Sequence, residues 1–108
     1  MEGNDLASYA PIQQGVIFEG VLATYPEGFK GMRSRIAQRS GDWKTVINNM
    51  SPSELPLKSL ADSINRRGVG SIVYTFMPPE AVDPIDRWLL RKGISTVVES
   101  YTDISALA

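Results

Sequence analysis

Residues 71–101 read SIVYTF (71–76), MPPEAVD (77–83), PIDRWLLRK (84–92) and GISTVVESY (93–101). The first and last of these runs are rich in β-forming residues, and the run from 84 to 92 has helical features. A tight hairpin cannot join parallel neighbours, whereas a helix of this length can connect two parallel strands. We therefore predict a strand–loop–helix–strand unit, a C-terminal βαβ crossover.

The helix of this unit is predicted from signals at both of its ends. Asp83 is a good N-cap, because its carboxylate can accept hydrogen bonds from free backbone N–H groups of the first turn. Pro84 follows at the first helical position, and Gly93 can adopt the left-handed conformation that ends a helix. One apolar face has the spacing i, i+3, i+4 and is expected in the core: Ile85, Trp88 and Leu89.

The rest of the chain continues the alternation of strands and helices. Residues 16–25 are predicted as a strand, with a bulge at Gly20 and with the lone charge Glu19 pointing outward or marking an edge. Two or three helices are expected between this strand and the βαβ unit. The predicted fold class is α/β, a small layered sandwich of about three mostly parallel strands with helices packed on the sheet. The direction of the first strand stays open.

Periodicity places the first of these helices. Phe29, Met32 and Ile36 are three and four residues apart, which indicates a helix of about three turns with one apolar face. Ser40-Gly41 interrupts this pattern, and Asp42 is the expected N-cap of the next helix.

Two further apolar stripes predict the remaining helices before the βαβ unit. They consist of Trp43, Val46, Ile47 and Met50, and of Leu57, Leu60, Ala61 and Ile64. Between them, Ser51 and Glu54 have the spacing of a capping box, and the alternative is a helix that starts at Pro56. The second stripe is expected to end at Arg66-Arg67-Gly68.

Length and composition are those of one globular domain. The chain has 108 residues, of which 43% are apolar and 21% charged, and its net charge is −1. We assign residues 1–14 to an N-terminal arm and residues 15–108 to a single α/β domain. No run approaches the roughly 18 apolar residues that span a bilayer, and the acidic start is unlike a signal peptide. The expected compartment is the cytoplasm, with no membrane partner.

The chain contains neither cysteine nor histidine. The missing cysteines exclude disulfides, thiolate zinc sites and cysteine nucleophiles. The missing histidines remove the usual general base near neutral pH and exclude a Ser-His-Asp triad. Any catalysis would depend on carboxylates, lysine, arginine, hydroxyl groups or a cofactor, and these absences favour a non-enzymatic role.

A basic segment is the first candidate for a functional surface. It contains five cations and a tryptophan: Lys30, Arg33, Arg35, Arg39, Lys44 and Trp43. Such a segment can bind an acidic protein surface or nucleic acid. Its charges are spread around the helix, and aromatic residues for base stacking are sparse, so nucleic acid is not the favoured partner. The alternative is a solvated helix whose basic side chains lie over its apolar stripe.

A carboxylate group at the end of the sheet is the second candidate. Ligands in open α/β sheets favour the carboxyl ends of the strands. There Glu80, Asp83 and Asp103 are candidate ligands of a hard cation such as Mg²⁺, or an acid/base pair. The alternative is that Asp83 is only a cap and Glu80 is solvated. No glycine-rich phosphate-binding motif is present, so a mononucleotide site of the familiar kind is not expected.

These observations lead to one expected function and two alternatives. We expect a small interaction or regulatory domain that acts through contacts with another protein or through self-association, because the edges of a three-stranded sheet need cover. No cofactor is expected in that role. The alternatives are an enzyme or ligand-binding protein that uses the carboxylates, with Mg²⁺ as its cofactor, and a nucleic-acid-binding regulator that uses residues 30–44.

Overall fold

The computed structural model describes residues 14–67 and 71–102. In chain order, its strands are β1 (Gln14–Ile17), β2 (Ala23–Thr24), β3 (Ser51–Pro52), β4 (Ser71–Thr75) and β5 (Val97–Ser100). Its α-helices are α1 (Gly28–Arg39), α2 (Trp43–Asn48), α3 (Glu54–Arg67) and α4 (Val82–Arg91), and a 3₁₀ turn at Pro79–Ala81 precedes α4. Most of the predicted arm, the predicted helix end at Gly68 and the candidate ligand Asp103 lie outside these residues.

Three strands form one parallel sheet in the order β1-β4-β5. Val73 in the central strand pairs with Val16 on one side and with Val98 on the other. The predicted α/β class and the C-terminal βαβ unit are therefore confirmed, with α4 as the crossover. The first strand, whose direction was open, is parallel to the other two.

The predicted strand over residues 16–25 is broken by a turn. Strand β1 ends at Ile17, and Gly20 has a φ of 88°, a left-handed conformation that glycine adopts without steric cost. The turn is closed by hydrogen bonds from the Leu22 and Ala23 N–H groups to the Phe18 carbonyl, at 2.9 and 3.0 Å. The chain then leaves the parallel sheet, and β2 pairs antiparallel with β3.

Helix α4 begins earlier than predicted. Asp83 is not its N-cap, because the helix starts at Val82 and continues directly from the 3₁₀ turn, with Ala81 at the cap position. Asp83 lies in the first turn, where its charge still complements the helix dipole. The other end is as predicted: Gly93 has a φ of 80°, and its N–H donates to the Leu90 carbonyl at 2.9 Å.

Two further caps were predicted, of which one is confirmed. The Asp42 carboxylate accepts hydrogen bonds from the Thr45 N–H at 3.3 Å and from the Thr45 hydroxyl at 2.7 Å. These bonds, the hydroxyl first, lower the pKa of the Asp42 carboxyl below its ordinary value. The capping box at Ser51 is wrong, because Ser51 belongs to β3, and α3 begins at Glu54 rather than at Pro56.

One hydrophobic core joins the helices to the sheet. It contains residues from the first turn, from all four α-helices and from β4, including Phe18, Ala37, Val46, Leu60, Val73 and Trp88. The Phe18 and Trp88 rings meet edge to face, with centroids 5.3 Å apart. The predicted burial of Trp88 is thus confirmed, whereas Trp43 is only partly buried against the same core.

Among the described residues, the core covers one face of the parallel sheet. Val16, Val73 and Val98 lie on the covered face and belong to the core or pack against it. Side chains alternate between the faces of a strand, so their neighbours lie on the other face. We call this the open sheet face; it carries Ile17, Ile72, Tyr74 and Val97, none of which packs into the core of the described chain.

Candidate interaction surfaces

Helix α1 presents its large apolar residues to solvent. Phe29, Met32 and Ile36 are 73%, 50% and 61% exposed, and we call them the outer stripe. The buried residues of the same helix are all small: Gly31, Ser34 and Ala37. At about 100° per residue, the two sets are centred roughly 170° apart around the helix axis. The periodicity correctly predicts a helix, but its apolar face points away from the core.

Two of the small residues on the inward side of α1 have identifiable surroundings. A Cβ atom at Gly31 would lie 2.5 Å from the Pro26 carbonyl oxygen, a distance that no side chain tolerates. Ala37 reaches the core beside α2, and the Asp42 N–H donates to its carbonyl at 2.8 Å. The segment that leads into α1 thus leaves no room for a side chain at Gly31, and Ala37 is the residue of α1 that joins the core.

The predicted basic segment splits between two places. Arg33 and Arg39 flank the outer stripe, each within about 70° of its centre, and Lys30 and Arg35 lie further round the helix. All four are exposed. Lys44 and Trp43 belong to α2 instead: Lys44 lines a separate cleft, and Trp43 is partly buried. The predicted surface therefore contains the four cations of α1 but not the two residues of α2.

Glu19 holds together the carboxyl ends of β1 and β4. Its Oε2 atom accepts hydrogen bonds from the Thr75 hydroxyl at 3.0 Å and from the Phe76 N–H at 2.9 Å. Glu19 therefore does not point outward, because the turn at Gly20 directs it across the end of the neighbouring strand. The other predicted alternative, a position at an edge, agrees with β1 being an edge strand of the sheet. Partial burial, and secondly the Glu19 carboxylate, raise the pKa of the Tyr25 phenol.

The predicted metal ligands do not form a site within the described chain. Glu80 is exposed on the 3₁₀ turn, and Asp83 lies in the first turn of α4, in the same cleft as Lys44. No group of three acidic residues placed to hold a metal ion occurs among residues 14–67 and 71–102. Asp103, the third predicted ligand, lies outside them.

Aromatic residues extend the open sheet face beyond the strand ends. The Tyr101 ring lies 5.3 Å from the Phe76 ring and 6.2 Å from the Tyr74 ring. Phe76 and Tyr101 are 61% and 45% exposed, and Val97 is 53% exposed. Sequence reasoning did not identify this surface, although alternate residues of SIVYTF and TVVESY are the signal that could have located it.

Comparisons with known proteins give no family assignment. No family model matches the chain, and no significant match occurs among curated proteins or among solved structures. None of the described helices is long and apolar enough to cross a membrane.

Proposed function

We propose that this protein is an interaction domain whose outer stripe binds an acidic amphipathic helix of another protein. The observation that carries the proposal is the outward orientation of Phe29, Met32 and Ile36 on a helix that buries only small residues. Contiguous apolar patches of this kind, rimmed by polar residues, are typical of protein-binding sites.

Burial of the outer stripe supplies the affinity in this proposal. Fully burying a side chain such as Phe, Met or Ile contributes about 1.5–3 kcal/mol. Because these three side chains are already half or more exposed, most of that contribution is available to a partner. An amphipathic helix that docks in parallel with α1 places its own apolar face against them.

The charges beside the outer stripe select an acidic partner. Arg33 and Arg39 lie on opposite sides of the stripe, and α1 has four basic residues and no acidic ones. Another α1 helix of the same chain would bring four further cations to this surface, which is repulsive. A partner with glutamate or aspartate beside its apolar face would instead gain complementary contacts and a faster association.

The alternative functions find less support. For nucleic acid, Phe29 is the single aromatic residue of α1, whereas sequence-independent binding of single strands uses several stacked rings. An apolar stripe between the arginines also separates them from a shared phosphate backbone. For a carboxylate-dependent enzyme, Glu80 and Asp83 are both exposed to solvent, whereas carboxyl groups that act in acid/base catalysis are usually tuned by a buried environment.

A matched pair of synthetic peptides tests the proposal. One peptide has leucines on one helical face with flanking glutamates, and its twin has lysines in place of the glutamates. By fluorescence anisotropy, we expect the acidic peptide to bind at least about tenfold more tightly than the basic twin. We also expect the double substitution Phe29→Ser and Ile36→Ser to weaken its binding at least about tenfold.

Leu55→Ser is the control variant for this experiment. Leu55 is 79% exposed but lies on α3, away from the outer stripe, so its replacement should leave the peptide affinity unchanged. Equal affinity for the two peptides, or equal effects of the α1 and α3 variants, would show that the outer stripe is not the binding surface.

The open sheet face supports self-association as a second candidate function. Parallel sheets occur almost only with both faces covered, and here one face of β1, β4 and β5 lies outside the core of the described chain. Glu99 is the one charged residue on this face within the three strands. A second copy of the chain can therefore pack its open sheet face against the first without the repulsion that α1 would cause.

Light scattering with two matched variants tests this second candidate. Val97 and Leu90 are 53% and 51% exposed, and only Val97 lies on the open sheet face. At about 100 µM protein we expect a dimer that Val97→Lys dissociates and Leu90→Lys preserves, because a buried unpaired ammonium is costly. A monomeric wild type, or a dimer that persists in Val97→Lys, would rule out this interface.

A further inference from the structure

A small basic cleft lies between α2 and α4, apart from both apolar surfaces. Its volume is about 200 Å³, and its lining consists of Lys44, Asn48, Asp83, Pro84, Arg87 and Arg91. Three cations and one carboxylate give the cleft a local charge of +2, although the whole chain has a net charge of −1. The cleft is therefore a concentration of positive charge on a nearly neutral protein.

Helix geometry brings these side chains together. Lys44 and Asn48 are four residues apart on α2, and Asp83, Arg87 and Arg91 follow at the same spacing on α4. Residues four apart lie on one face of a helix, so each helix presents one row of polar side chains to the cleft. The spacing is visible within each helix, but the facing of the two rows depends on tertiary packing.

One of the arginines is held by a neutral partner. The Arg91 Nη2 atom donates a hydrogen bond to the Asn48 Oδ1 atom at 2.9 Å. This bond orients the guanidinium group without neutralising its charge. It leaves the other N–H groups of Arg91, together with the side chains of Arg87 and Lys44, as donors for a ligand.

We propose that this cleft binds the phosphoryl group of a small phosphate monoester. A phosphomonoester carries close to two negative charges at neutral pH and has three acceptor oxygens, which match the charge and the fork-shaped donors of two arginines and a lysine. Asp83 accepts a hydrogen bond from a hydroxyl or ammonium group elsewhere on the same ligand. The side chains thus do the work that a glycine-rich loop does in nucleotide-binding proteins.

The size of the cleft matches a small ligand. Sites for drug-sized molecules have volumes of roughly 300–1,000 Å³. A cleft of about 200 Å³ surrounds a phosphoryl group with a few further atoms, and the rest of a larger ligand would project into solvent. The absence of a mononucleotide-binding motif in the sequence agrees with a small ligand.

Titration with two probes, inorganic phosphate and glycerol 3-phosphate, tests the proposal. Backbone amide chemical shifts of α2 and α4 are followed at constant ionic strength, with potassium chloride as the reference. We expect saturable shifts with both probes and tighter binding of glycerol 3-phosphate, whose hydroxyls can donate to Asp83. Arg87→Gln should weaken binding at least about tenfold, because it removes a charge-assisted pair.

Two further variants separate a specific site from general charge screening. Arg33→Gln removes an exposed arginine on α1, outside the cleft, and should leave the affinities unchanged. Asp83→Asn removes the repulsive carboxylate and should tighten the binding of inorganic phosphate by several-fold. Non-saturable shifts, shifts equal to those in potassium chloride, or equal losses in Arg33→Gln and Arg87→Gln would overturn the proposal.

Discussion

Replacing Trp88 by alanine is expected to lower the free energy of unfolding by about 3–5 kcal/mol. Trp88 is almost fully buried and packs edge to face on Phe18. The Lys92 Nζ atom lies over the Trp88 ring, 5.2 Å from the ring centroid. Because Phe18 directly follows β1 whereas Trp88 belongs to α4, this contact joins the first strand to the βαβ unit. Loss of the Trp88 side chain would leave a cavity between the first strand and the βαβ unit.

Urea unfolding followed by circular dichroism measures this effect. Leu90→Ala is the matched control, since Leu90 lies on the same helix but is 51% exposed. Its replacement should cost less than about 1 kcal/mol. If both substitutions lowered the free energy of unfolding equally, Trp88 would not be the core residue that connects α4 to the first turn.

Replacing Glu19 by alanine is expected to lower the free energy of unfolding by about 1–3 kcal/mol. The substitution removes the acceptor of the Thr75 hydroxyl and of the Phe76 N–H. The Thr75 hydroxyl oxygen also accepts a hydrogen bond from the Met77 N–H at 3.1 Å, so Glu19 anchors a short network at the end of β4. Thr75 is fully buried, and water cannot replace the lost acceptor without disturbing the core.

Thermal or urea unfolding of three variants tests the role of Glu19. Glu19→Gln retains one side-chain oxygen as acceptor and should recover part of the loss. Glu80→Ala removes an exposed acid and should change the free energy of unfolding by less than about 0.5 kcal/mol. A Glu19→Ala variant as stable as Glu80→Ala would mean that the hydrogen bonds of Glu19 to Thr75 and Phe76 do not contribute to the free energy of unfolding.

Sequence signals that act within a few residues correctly predicted the apolar face of α4 and its C-terminal end. The apolar face of Ile85, Trp88 and Leu89 and the stop at Gly93 act within a few residues, and both are found in α4. The N-cap at Asp83 failed because the preceding 3₁₀ turn, built on Pro79, extends the helical path upstream. Where a helix begins depends on the conformation of the preceding turn as well as on the residue type at the cap position.

The outer stripe and the basic cleft could not be predicted from the periodicity of the sequence. The spacing of Phe29, Met32 and Ile36 correctly indicates a helix, but the same spacing fits a buried face and an exposed one. The small residues Gly31 and Ala37 were the signal that the opposite side of α1 is the buried one. The cleft was missed for a related reason, because Lys44 and Asp83 meet only through the packing of α2 on α4.

The free energy of unfolding of the Phe29→Ser, Ile36→Ser double variant shows whether the outer stripe of α1 faces solvent or the core. Serine has nearly the helix propensity of phenylalanine and isoleucine, so the comparison isolates burial. With the outer stripe facing solvent, we expect the free energy of unfolding to change by less than about 0.5 kcal/mol per substitution. A loss of about 2 kcal/mol or more per substitution, as for large core side chains, would contradict it.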